Sequence, residues 1–367
     1  MRKSSLTVPR IVIIHDALVN TGGAERVLTY MHEAFPEAPI ITSVYLPDQT
    51  YAELRSAKVI TLPGGKFVKS ERRCKQLFPL WLLAFQRMRL HEFDIVLTST
   101  SWGAKFVRPD KNTRHVCYCY VPFRLLWSPD SYNASSIPVD QIGSKVVDLL
   151  RFPLRQLDKQ VTQAIPYIAT TCKNMAQQIA NCYQREAQVI YAPIRMADYR
   201  ISADVGDYYL TVSRLISHKR VDLAIQACKA LKRKLIVVGD GPDREILKAM
   251  TGDTVQFAGR VSDTRLKELY ARCKAVIFPS DEDYGLVPLE AQASGRPVIA
   301  YGSGGALETV INNETGILFK HQMVESVIAA IQLFEQTTFD LQYIRQAVQR
   351  FDVEQFKHEL RAFVLGD

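Results

Sequence analysis

The chain has 367 residues, of which 47% are hydrophobic and 23% are charged, and its formal net charge is +8. This composition is typical of a folded globular protein and excludes a disordered one, and the length predicts two or three domains. No run approaches the roughly 20 apolar residues of a membrane span. The basic charge permits nucleic acid, anionic lipid or phosphorylated ligands as partners and selects none of them.

The cysteines and the N-terminus indicate a protein of a reducing compartment. The seven cysteines are scattered, and no pair has the spacing of a zinc finger. Near the start of the chain, Arg10 and Asp16 leave too short an apolar run for a secretory signal peptide. We therefore expect a cytoplasmic protein with buried thiols.

Apolar strands alternate with helices along the chain. A first series of strands is predicted at residues 10–14, 39–44, 94–98, 115–119 and 167–170. A second series is predicted at residues 208–212, 234–239, 255–258, 275–278 and 297–300. Helices fit between them, for example from about Ala24, over 221–231 and over 263–271. This alternation predicts two successive Rossmann-like domains, each a parallel sheet with helices on both faces.

The two series meet near Pro193, where proline stops regular structure. We therefore predict one domain over residues 1–193 and a second over 194–350. The stretch 351–365 is predicted to be helical, and its periodicity does not tell which domain it packs on.

Two glutamates lie close together after the strand 275–278. The strand ends at Pro279, and Pro288 suits the first turn of a following helix, where its missing N–H costs nothing. Glu290 is predicted to lie in that turn, near the positive end of the helix dipole, and Glu282 in the loop before it. Ligands of open α/β sheets bind at this carboxyl-terminal edge, so the two carboxylates suit a ligand with several hydroxyls.

Two cations follow the first strand of the second series. Arg214 and Lys219 lie in a loop between that strand and a helix, at the same predicted sheet edge. A guanidinium fork and a lysine point charge both suit a diphosphate. A solvated basic loop is the alternative for these residues taken alone.

Three glycine-containing turns follow strands. The turn at 301–308 and the pair Gly22 and Gly23 are predicted to offer backbone N–H groups to an anion. The turn at 238–242 is assigned a mainly structural role, because glycine and proline also mark ordinary tight turns.

Taken together, these residues resemble the retaining glycosyltransferases of family 4, which have the GT-B fold. The matching features cover nearly the whole chain in the expected order: residues 22–25, 214, 219, 238–242, 257–260, 282–290 and 304–305. The resemblance implies an α/β GT-B fold in which two Rossmann-like domains face each other across a cleft. It also implies that a closing helix of about residues 351–367 crosses back to the first domain.

The resemblance also implies roles for individual residues. Arg214 and Lys219 would bind the donor diphosphate and stabilise its departure, and Glu282 would contact the transferred sugar. Glu290 would hold the ribose of the nucleotide. The other donor-binding positions implied are Gly285, Leu286, Val287, Gly259, Arg260, Val261, Gly22 and Gly23.

The first half narrows the resemblance to bacterial mannosyltransferases of surface polysaccharide assembly. The matching segments are residues 15–18, 22–26, 93–96, 117–119 and 122–127. Acceptor-side contacts are implied for His15, Asp16, Tyr120 and Arg124. Tyr120 is a departure, because these relatives commonly have histidine there, and a phenol with a pKa near 10 does not readily exchange protons at neutral pH.

The implied reaction is retaining transfer of a hexose, namely mannose from GDP-mannose, to a polyprenyl-diphosphate-linked saccharide. Front-face substitution is preferred, with the leaving phosphate accepting the proton of the acceptor. Arg214 and Lys219 can neutralise that phosphate, so no metal ion and no cofactor beyond the nucleotide sugar are expected.

Residues 66–75 are basic, and residues 76–85 are apolar and aromatic. A basic segment next to an apolar and aromatic one is typical of a segment that lies in the membrane interface, so peripheral contact with the anionic inner leaflet is predicted. The alternative is that the apolar part is core and the basic part an exposed loop, since Pro79 argues against a regular amphipathic helix.

Two further functions remain open. The chain could transfer a sugar from a UDP-sugar, or it could bind nucleotide sugars or polyanions without catalysis. Nucleic-acid binding rests on the charge alone and has no recognised module in its favour, so no nucleic-acid partner is expected.

Overall fold

A computed structural model of the protein describes residues 9–128 and 141–366. The chain divides into two compact units. The first holds the described residues up to Ala192 and those from Phe356 onward, and the second holds Pro193–Gln355. Asp367, the end of the predicted closing helix, lies outside the described residues.

The first unit is built on a parallel sheet whose described strands lie in the order β3-β2-β1-β4-β5-β6-β7. The strands are β1 Ile11–His15, β2 Ile40–Thr42, β3 Val59–Thr61, β4 Ile95–Thr100, β5 Arg114–Cys119, β6 Tyr167–Thr170 and β7 Gln188–Val189. From β1 the chain adds strands towards one edge of the sheet, and from β4 it adds them towards the other edge. A topological switch point therefore lies between β1 and β4.

Helices accompany this sheet. They are α1 Gly23–Ala34, α2 Glu71–Gln76, α3 Phe78–Gln86, α4 Arg124–Trp127, α5 Gln141–Gln163 and α6 Lys173–Tyr183, with short 3-10 helices at Pro47–Gln49, Ala52–Arg55, Gly65–Phe67 and Ala104–Phe106. The core on one side of the sheet combines strand residues such as Val96 with Trp81 and Phe85 of α3.

The second unit has a six-stranded parallel sheet in the order β10-β9-β8-β11-β12-β13. The strands are β8 Tyr209–Val212, β9 Leu235–Val238, β10 Val255–Gly259, β11 Val276–Phe278, β12 Val298–Tyr301 and β13 Gly316–Phe319. The order again reverses between the first and the fourth strand, here β8 and β11.

Helices cover both faces of this second sheet. They are α7 Val221–Ala230, α8 Arg244–Ala249, α9 Asp263–Arg272, α10 Leu286–Ala293, α11 Ala306–Thr309, α12 Val324–Gln336 and α13 Leu341–Ala347, with 3-10 helices at Met196–Asp198, Ser217–Lys219 and Gln349–Phe351. Successive residues of β11 enter opposite cores: Ile277 packs in one cluster, and Val276 and Phe278 pack in the other. A strand that is apolar on both faces is what a doubly covered parallel sheet requires.

The last helix, α14, spans Val353–Leu365 and continues from the second unit into the first. Within the first unit its Phe356 ring packs edge-on against Tyr118, with ring centroids 6.0 Å apart. Arg361 Nε donates to the Ala34 carbonyl at 3.0 Å. The helix therefore has specific contacts with the first unit.

The predicted α/β class and the parallel sheets are confirmed. Three strands were missed, β3, β7 and β13. Strand β7 has two residues, and β3 is only half-buried, so neither gives a strong alternating pattern.

Candidate active site

The switch point of the second unit brings together two loops that are distant in sequence. The loop after β8 carries Arg214 and Lys219, and the loop after β11 carries Glu282. Lys219 Nζ lies 2.7 Å from Glu282 Oε1, and the two side chains are 19% and 23% exposed. This salt bridge therefore joins the two loops at the sheet edge where α/β proteins bind ligands.

Glu282 is held by a second contact to the same oxygen. Ser280 Oγ donates to Glu282 Oε1 at 2.9 Å. Among the described residues Glu282 Oε2 has no hydrogen-bond partner. One oxygen thus fixes the carboxylate, and the other can accept a hydroxyl of a ligand.

Arg214 lies in the same loop as Lys219 and takes no part in this salt bridge. Its side chain is exposed, and it forms no hydrogen bond or salt bridge with any residue in the described parts of the chain. The guanidinium is therefore available to an anionic ligand at the sheet edge.

Helix α10 begins earlier than predicted, so Glu290 is not in its first turn. Gly285 is the N-cap, with φ of 82°, and Leu286 is the first helical residue. The prediction that Glu290 lies in the first turn, near the positive end of the helix dipole, was wrong, because Pro288 is the third helical residue and Glu290 the fifth. Tyr270 positions the carboxylate instead, since its hydroxyl donates to Glu290 Oε2 at 2.8 Å.

The start of α10 offers backbone donors. The amides of Leu286 and Val287 belong to the first turn, whose N–H groups have no intrahelical acceptor. Neither amide is hydrogen-bonded to another described residue. Gly285 is required here because a side chain at φ of 82° is strained, and its Cβ would lie 2.9 Å from Phe278 Cζ.

Glycine turns hold these loops in place. A Cβ on Gly239 or Gly241 would collide with the backbone of Ser213 or Leu215, which flank Arg214. This close approach confirms the structural role predicted for residues 238–242. Gly259 is the last residue of β10, and the predicted donor-binding residues Arg260 and Val261 follow it. The Gly259 carbonyl accepts the Gly239 amide at 2.8 Å. Arg260 in this segment is exposed.

The turn at residues 301–308 has a different role from the one predicted. The Gly305 amide donates to the Glu282 carbonyl at 2.9 Å, and a Cβ on Gly304 would collide with the same carbonyl. The helix that follows has only four residues. The turn therefore shapes the Glu282 loop, and the interpretation as an anion site was wrong for Gly305.

In the first unit, the predicted residues at the end of β1 form two hydrogen-bonded groups. His15 Nδ1 lies 3.0 Å from Ser99 Oγ, and Ser99 Oγ lies 2.8 Å from Tyr120 Oη. Tyr120 Oη also donates to the Ala24 carbonyl at 3.1 Å. Burial raises the pKa of Tyr120 above its ordinary value, so this phenol is neutral and ties α1 to the sheet edge.

Asp16 is surrounded by donors of the protein itself. Its carboxylate accepts the Thr100 hydroxyl and four backbone amides, those of residues 101–104. It is 5% exposed. Asp16 therefore fixes the loop after β4 through these hydrogen bonds. Its contact with the acceptor substrate stays a prediction. Arg124, the fourth acceptor-side residue, is exposed at the start of α4.

Gly22 and Gly23 begin α1, but a carboxyl group already occupies this helix start. Gly22 is the N-cap, and a Cβ built on it would collide with Glu25 Oε2, so the Glu25 carboxyl lies directly against this glycine. Donor binding by Gly22 and Gly23 stays a prediction. Burial raises the pKa of Glu25 from 4.5 to about 7, and the nearby backbone N–H groups offset part of this rise.

Replacing Glu25 by glutamine should stabilise the protein at alkaline pH. The folded state binds the Glu25 proton more tightly than the unfolded state does, because the pKa of this carboxyl is about 7 in the folded state and 4.5 in the unfolded state. The proton therefore stabilises the folded state fully below pH 4.5, and this stabilisation is lost as the pH rises through about 7. We expect the free energy of unfolding of Glu25→Gln to exceed that of the wild type by about 1–3 kcal/mol at pH 8. Urea denaturation should show this difference vanish towards pH 5, and a difference independent of pH would contradict it.

The sequence did not point to Ser99, Ser280 or Tyr270. These residues orient His15, Glu282 and Glu290 through side-chain hydrogen bonds. Ser99 lies near the end of β4, and Ser280 follows the end of β11. Both could have been found from the sequence, because the carboxyl ends of these strands lie at the predicted site. Tyr270 lies in a helix and gave no such signal.

No group of three or more His, Cys, Asp or Glu residues in the described parts of the chain is placed to hold a metal ion. Within the same residues, no helix is both long and apolar enough to span a membrane.

The second unit matches a known family model. Residues 202–350 match the model described as Glycosyl transferases group 1. Over 38% of this chain, the sequence is 34% identical to the GDP-mannose-dependent alpha-(1-6)-phosphatidylinositol monomannoside mannosyltransferase of Mycobacterium tuberculosis. That match spans 41% of the length of the mycobacterial protein. Over 99% of this chain and 97% of the relative, it is 24% identical to the human Alpha-1,3/1,6-mannosyltransferase ALG2.

Solved structures resemble the whole chain. The sucrose-phosphate synthase from Thermosynechococcus elongatus superposes with a TM-score of 0.74 at 18% identity, covering 97% of this chain and 98% of that one. Anabaena HepE, solved with UDP and glucose, gives a TM-score of 0.70 at 18% identity, covering 98% and 100%. The chain thus has the two Rossmann-like units of GT-B glycosyltransferase structures, and its residues 202–350 match the group 1 family of glycosyl transferases.

Proposed function

We propose that this protein is a retaining glycosyltransferase that moves mannose from GDP-mannose to a lipid-linked saccharide in surface polysaccharide synthesis. The observation that carries the proposal is the Lys219–Glu282 salt bridge at the switch point of the second unit. It puts a cation suited to a diphosphate beside a carboxylate suited to sugar hydroxyls, within the segment that matches the family model.

The donor-binding roles follow from the chemistry of each group. Arg214 and Lys219 would neutralise the diphosphate, and the amides of Leu286 and Val287 would bind its oxygens. Glu290, oriented by Tyr270, would accept the ribose hydroxyls. The free Oε2 of Glu282 would accept a hydroxyl of the transferred sugar, and residues 259–261 would lie beside the base.

The reaction would proceed by substitution on one face of the sugar. The bond from the anomeric carbon to the phosphate oxygen breaks, and a bond to the acceptor oxygen forms on the same face. The acceptor proton passes to the departing phosphate oxygen. Glu282 is already paired with Lys219 and Ser280, which favours a positioning role over that of a nucleophile. Lys219 and Arg214 would stabilise the leaving diphosphate without a metal ion or another cofactor.

The names of two relatives support mannose as the sugar. Both the mycobacterial and the human relative are mannosyltransferases, and the name of the first includes GDP-mannose. The mycobacterial match covers 38% of this chain at 34% identity, and the human match covers 99% at 24% identity.

A donor panel tests this proposal. GDP-mannose, GDP, UDP-glucose and UDP should each be tested by thermal shift, and donor hydrolysis and transfer to a polyprenyl-diphosphate-linked saccharide should be measured with EDTA present. We expect GDP-mannose to stabilise the protein and to be turned over, with the α-anomeric configuration kept in the product. Glu290→Gln should weaken donor binding, with the exposed Glu245→Gln of the same unit as control. If only the UDP-sugar is turned over, the donor is a UDP-sugar and not GDP-mannose. If a nucleotide sugar binds and is not turned over, the protein is a non-catalytic nucleotide-sugar-binding protein.

The surface of α2 and α3 supports contact with a membrane. The exposed apolar side chains are Phe67, Leu80 and Leu83, which are 82%, 58% and 49% exposed. Pro79 lies in the first turn of α3, where it does not interrupt the helix. Trp81 and Phe85 of α3 pack in the core, as the alternative interpretation of this segment had it, while membrane contact through the exposed side chains stays a proposal.

Exposed cations flank these apolar side chains in the sequence. The exposed ones are Lys66, Lys69, Arg72, Arg73, Arg87 and Arg89. The carboxylate of Glu71 is paired with Lys75 at 2.8 Å. Exposed apolar side chains with exposed cations on both sides in the sequence suit the headgroup region of an anionic bilayer, which would hold the protein at the inner face of the cytoplasmic membrane.

Reversing the charge of this surface should weaken membrane binding. Each cation near an anionic surface contributes about 1 kcal/mol, so Lys69→Glu with Arg72→Glu should lower the partition coefficient on phosphatidylglycerol vesicles at least tenfold. Sedimentation at low salt measures it. Lys229→Glu with Lys248→Glu in the second unit serves as the control, and equal binding by both double variants would contradict the assignment.

A further inference from the structure

A third loop of the second unit contacts both loops that carry the Lys219–Glu282 salt bridge, and none of the roles described above uses it. This loop, residues 320–323, follows β13 and precedes α12. In the sheet, β12 lies between β13 and β11, and both β12 and β11 lie between β13 and β8. Gln322 nevertheless contacts the loop after β11 and the loop after β8. The loop 320–323 therefore reaches across the carboxyl-terminal edge of the sheet.

Gln322 makes one contact with each of the two loops. Its side-chain Nε2 donates to the Pro279 carbonyl at 2.8 Å. Its backbone carbonyl accepts from Arg220 Nη1 at 3.5 Å, which is a weaker contact. Arg220 directly follows Lys219 in the chain, and Pro279 begins the loop that carries Glu282. The two contacts therefore restrain the backbone next to each member of the salt bridge.

The backbone at Arg220 is in an unusual conformation. Its φ is 52°, in the left-handed region that residues with a side chain seldom adopt. Strained residues of this kind persist where the surrounding structure holds them, and they cluster at functional sites. Here the guanidinium pairs with both carboxylate oxygens of Asp222 at 3.2 Å, in addition to its contact with Gln322. Because the chain turns at Arg220 into helix α7, this restraint also fixes the direction of the backbone at Lys219.

The contacts of the three loops close into a ring. Each member is bonded to the next or adjacent to it in the chain, and the members in order are Gln322, Pro279, Ser280, Glu282, Lys219 and Arg220. A diphosphate bound at Lys219 would compete with Glu282 for this cation and weaken the salt bridge. The hydrogen bond from Gln322 to the Pro279 carbonyl involves no charged group, so the anion would disturb it less. The ring thus contains a connection between the loops that outlasts the salt bridge.

We propose that Gln322 is a positioning residue, which keeps the loops after β8 and β11 together while a diphosphate replaces Glu282 at Lys219. The inference rests on the proposed transferase function and adds to it a residue outside the segments that the sequence had singled out. Gln322 contacts no substrate in this role. It acts through Lys219, whose ammonium group must stay in place as the bond to the leaving diphosphate breaks.

The kinetic test is Gln322→Met in the whole protein. Methionine has a similar length and flexibility but no donor for the Pro279 carbonyl. We expect kcat to fall about fivefold to tenfold, which is the effect of one neutral hydrogen bond. The dissociation constant of the donor should stay within about twofold of the wild-type value, because the effect arises in the transition state. The exposed Gln332→Met on α12 is the matched control and should keep the wild-type kcat.

A double-mutant cycle separates positioning from a merely structural role. In a Lys219→Ala background, Gln322→Met should cause no further loss of kcat, because the group that it positions is absent. Equal fold losses in the two backgrounds would show that Gln322 acts independently of Lys219 and would overturn the proposal. Gln322→Ala should lose as much kcat as Gln322→Met does. A loss confined to the alanine variant would assign the effect to packing and would also overturn it.

Hydrogen exchange tests the ring without any transfer reaction. The backbone amides of Lys219 and Arg220 are hydrogen-bonded within their loop, and the Gly305 amide donates to the Glu282 carbonyl. Mass spectrometry should show that Gln322→Met speeds exchange at least about fivefold in the peptides that contain these amides, whereas the control variant does not. Unchanged exchange in either loop would overturn the ring. If exchange responds and no nucleotide sugar is turned over, the transferase proposal fails and the connection between the loops stands.

Discussion

Replacing Lys219 by alanine should lower kcat by about 10²–10³-fold while donor affinity falls much less. Removal of one preorganised group that stabilises charge in a transition state has an effect of this size. Lys219 is restrained for this task, because Glu282 Oε1 holds its Nζ at 2.7 Å on a partly buried edge of the sheet. The charge that it would meet is greatest when the bond to the leaving diphosphate breaks, so turnover should suffer more than binding.

The measurement is steady-state kinetics with GDP-mannose and a lipid-linked acceptor, together with calorimetric donor titration. Lys248 is a suitable control, since its pair with Glu245 at 3.4 Å is exposed and lies on α8. Lys248→Ala should leave kcat unchanged. An unchanged kcat in Lys219→Ala would remove this residue from catalysis.

Glu282→Gln separates the two roles of the salt bridge. Glutamine can still accept from Lys219 and Ser280, but it no longer carries the charge that restrains the lysine. We expect an intermediate loss of kcat, smaller than that of Lys219→Ala. A larger loss would point to direct chemistry at Glu282.

Replacing Asp16 by alanine should destabilise the first unit by about 3–5 kcal/mol. The substitution removes the acceptor of five donors, and the amides of residues 101–104 would be left unpaired in a largely buried loop. Each buried donor without a partner costs about 1–3 kcal/mol, although water would satisfy some of them. Such a large effect is exceptional for one substitution and belongs to a broken buried network.

Urea denaturation followed by circular dichroism measures this loss. Asp110 is the matched control, because its side chain is exposed, and Asp110→Ala should change the free energy of unfolding by less than about 0.5 kcal/mol. A small loss in Asp16→Ala, combined with a large loss of acceptor binding, would show that Asp16 acts on the acceptor as the sequence had suggested.

The donor side shows how far sequence reasoning reaches. Arg214, Lys219 and Glu282 were identified because each follows a strand of one series, and the ends of parallel strands meet at one edge. The start of α10 was misplaced, because Gly285 and Pro288 are both compatible with a helix beginning at either residue. Only the three-dimensional contacts show that Tyr270 orients Glu290 and that Ser280 shares Glu282 with Lys219.

The first unit shows the opposite case. His15, Asp16 and Tyr120 lie at the carboxyl ends of β1 and β5, but their hydrogen bonds run to Ser99, Ala24 and the loop after β4, and their contact with an acceptor stays a prediction. No local pattern could show the partners of His15 and Tyr120, because the crossover between β1 and β4 brings them together. Glu25 is different, since it lies only three residues after Gly22 at the start of the same helix, and its carboxyl lies against that glycine.

The sequence by itself determined the class of fold, the two parallel sheets and the loops that carry the candidate site. It could do so because the period of apolar residues and the position of turn residues are local properties of a chain. Only the tertiary structure decided which of the polar side chains in these loops are hydrogen-bonded within the protein and which are available to a ligand. The reason is that hydrogen-bond partners at a switch point come from strands that are neighbours in space and far apart in sequence. That difference separates Asp16, whose oxygens accept five hydrogen bonds within the protein, from Arg214, whose exposed guanidinium is available to a ligand.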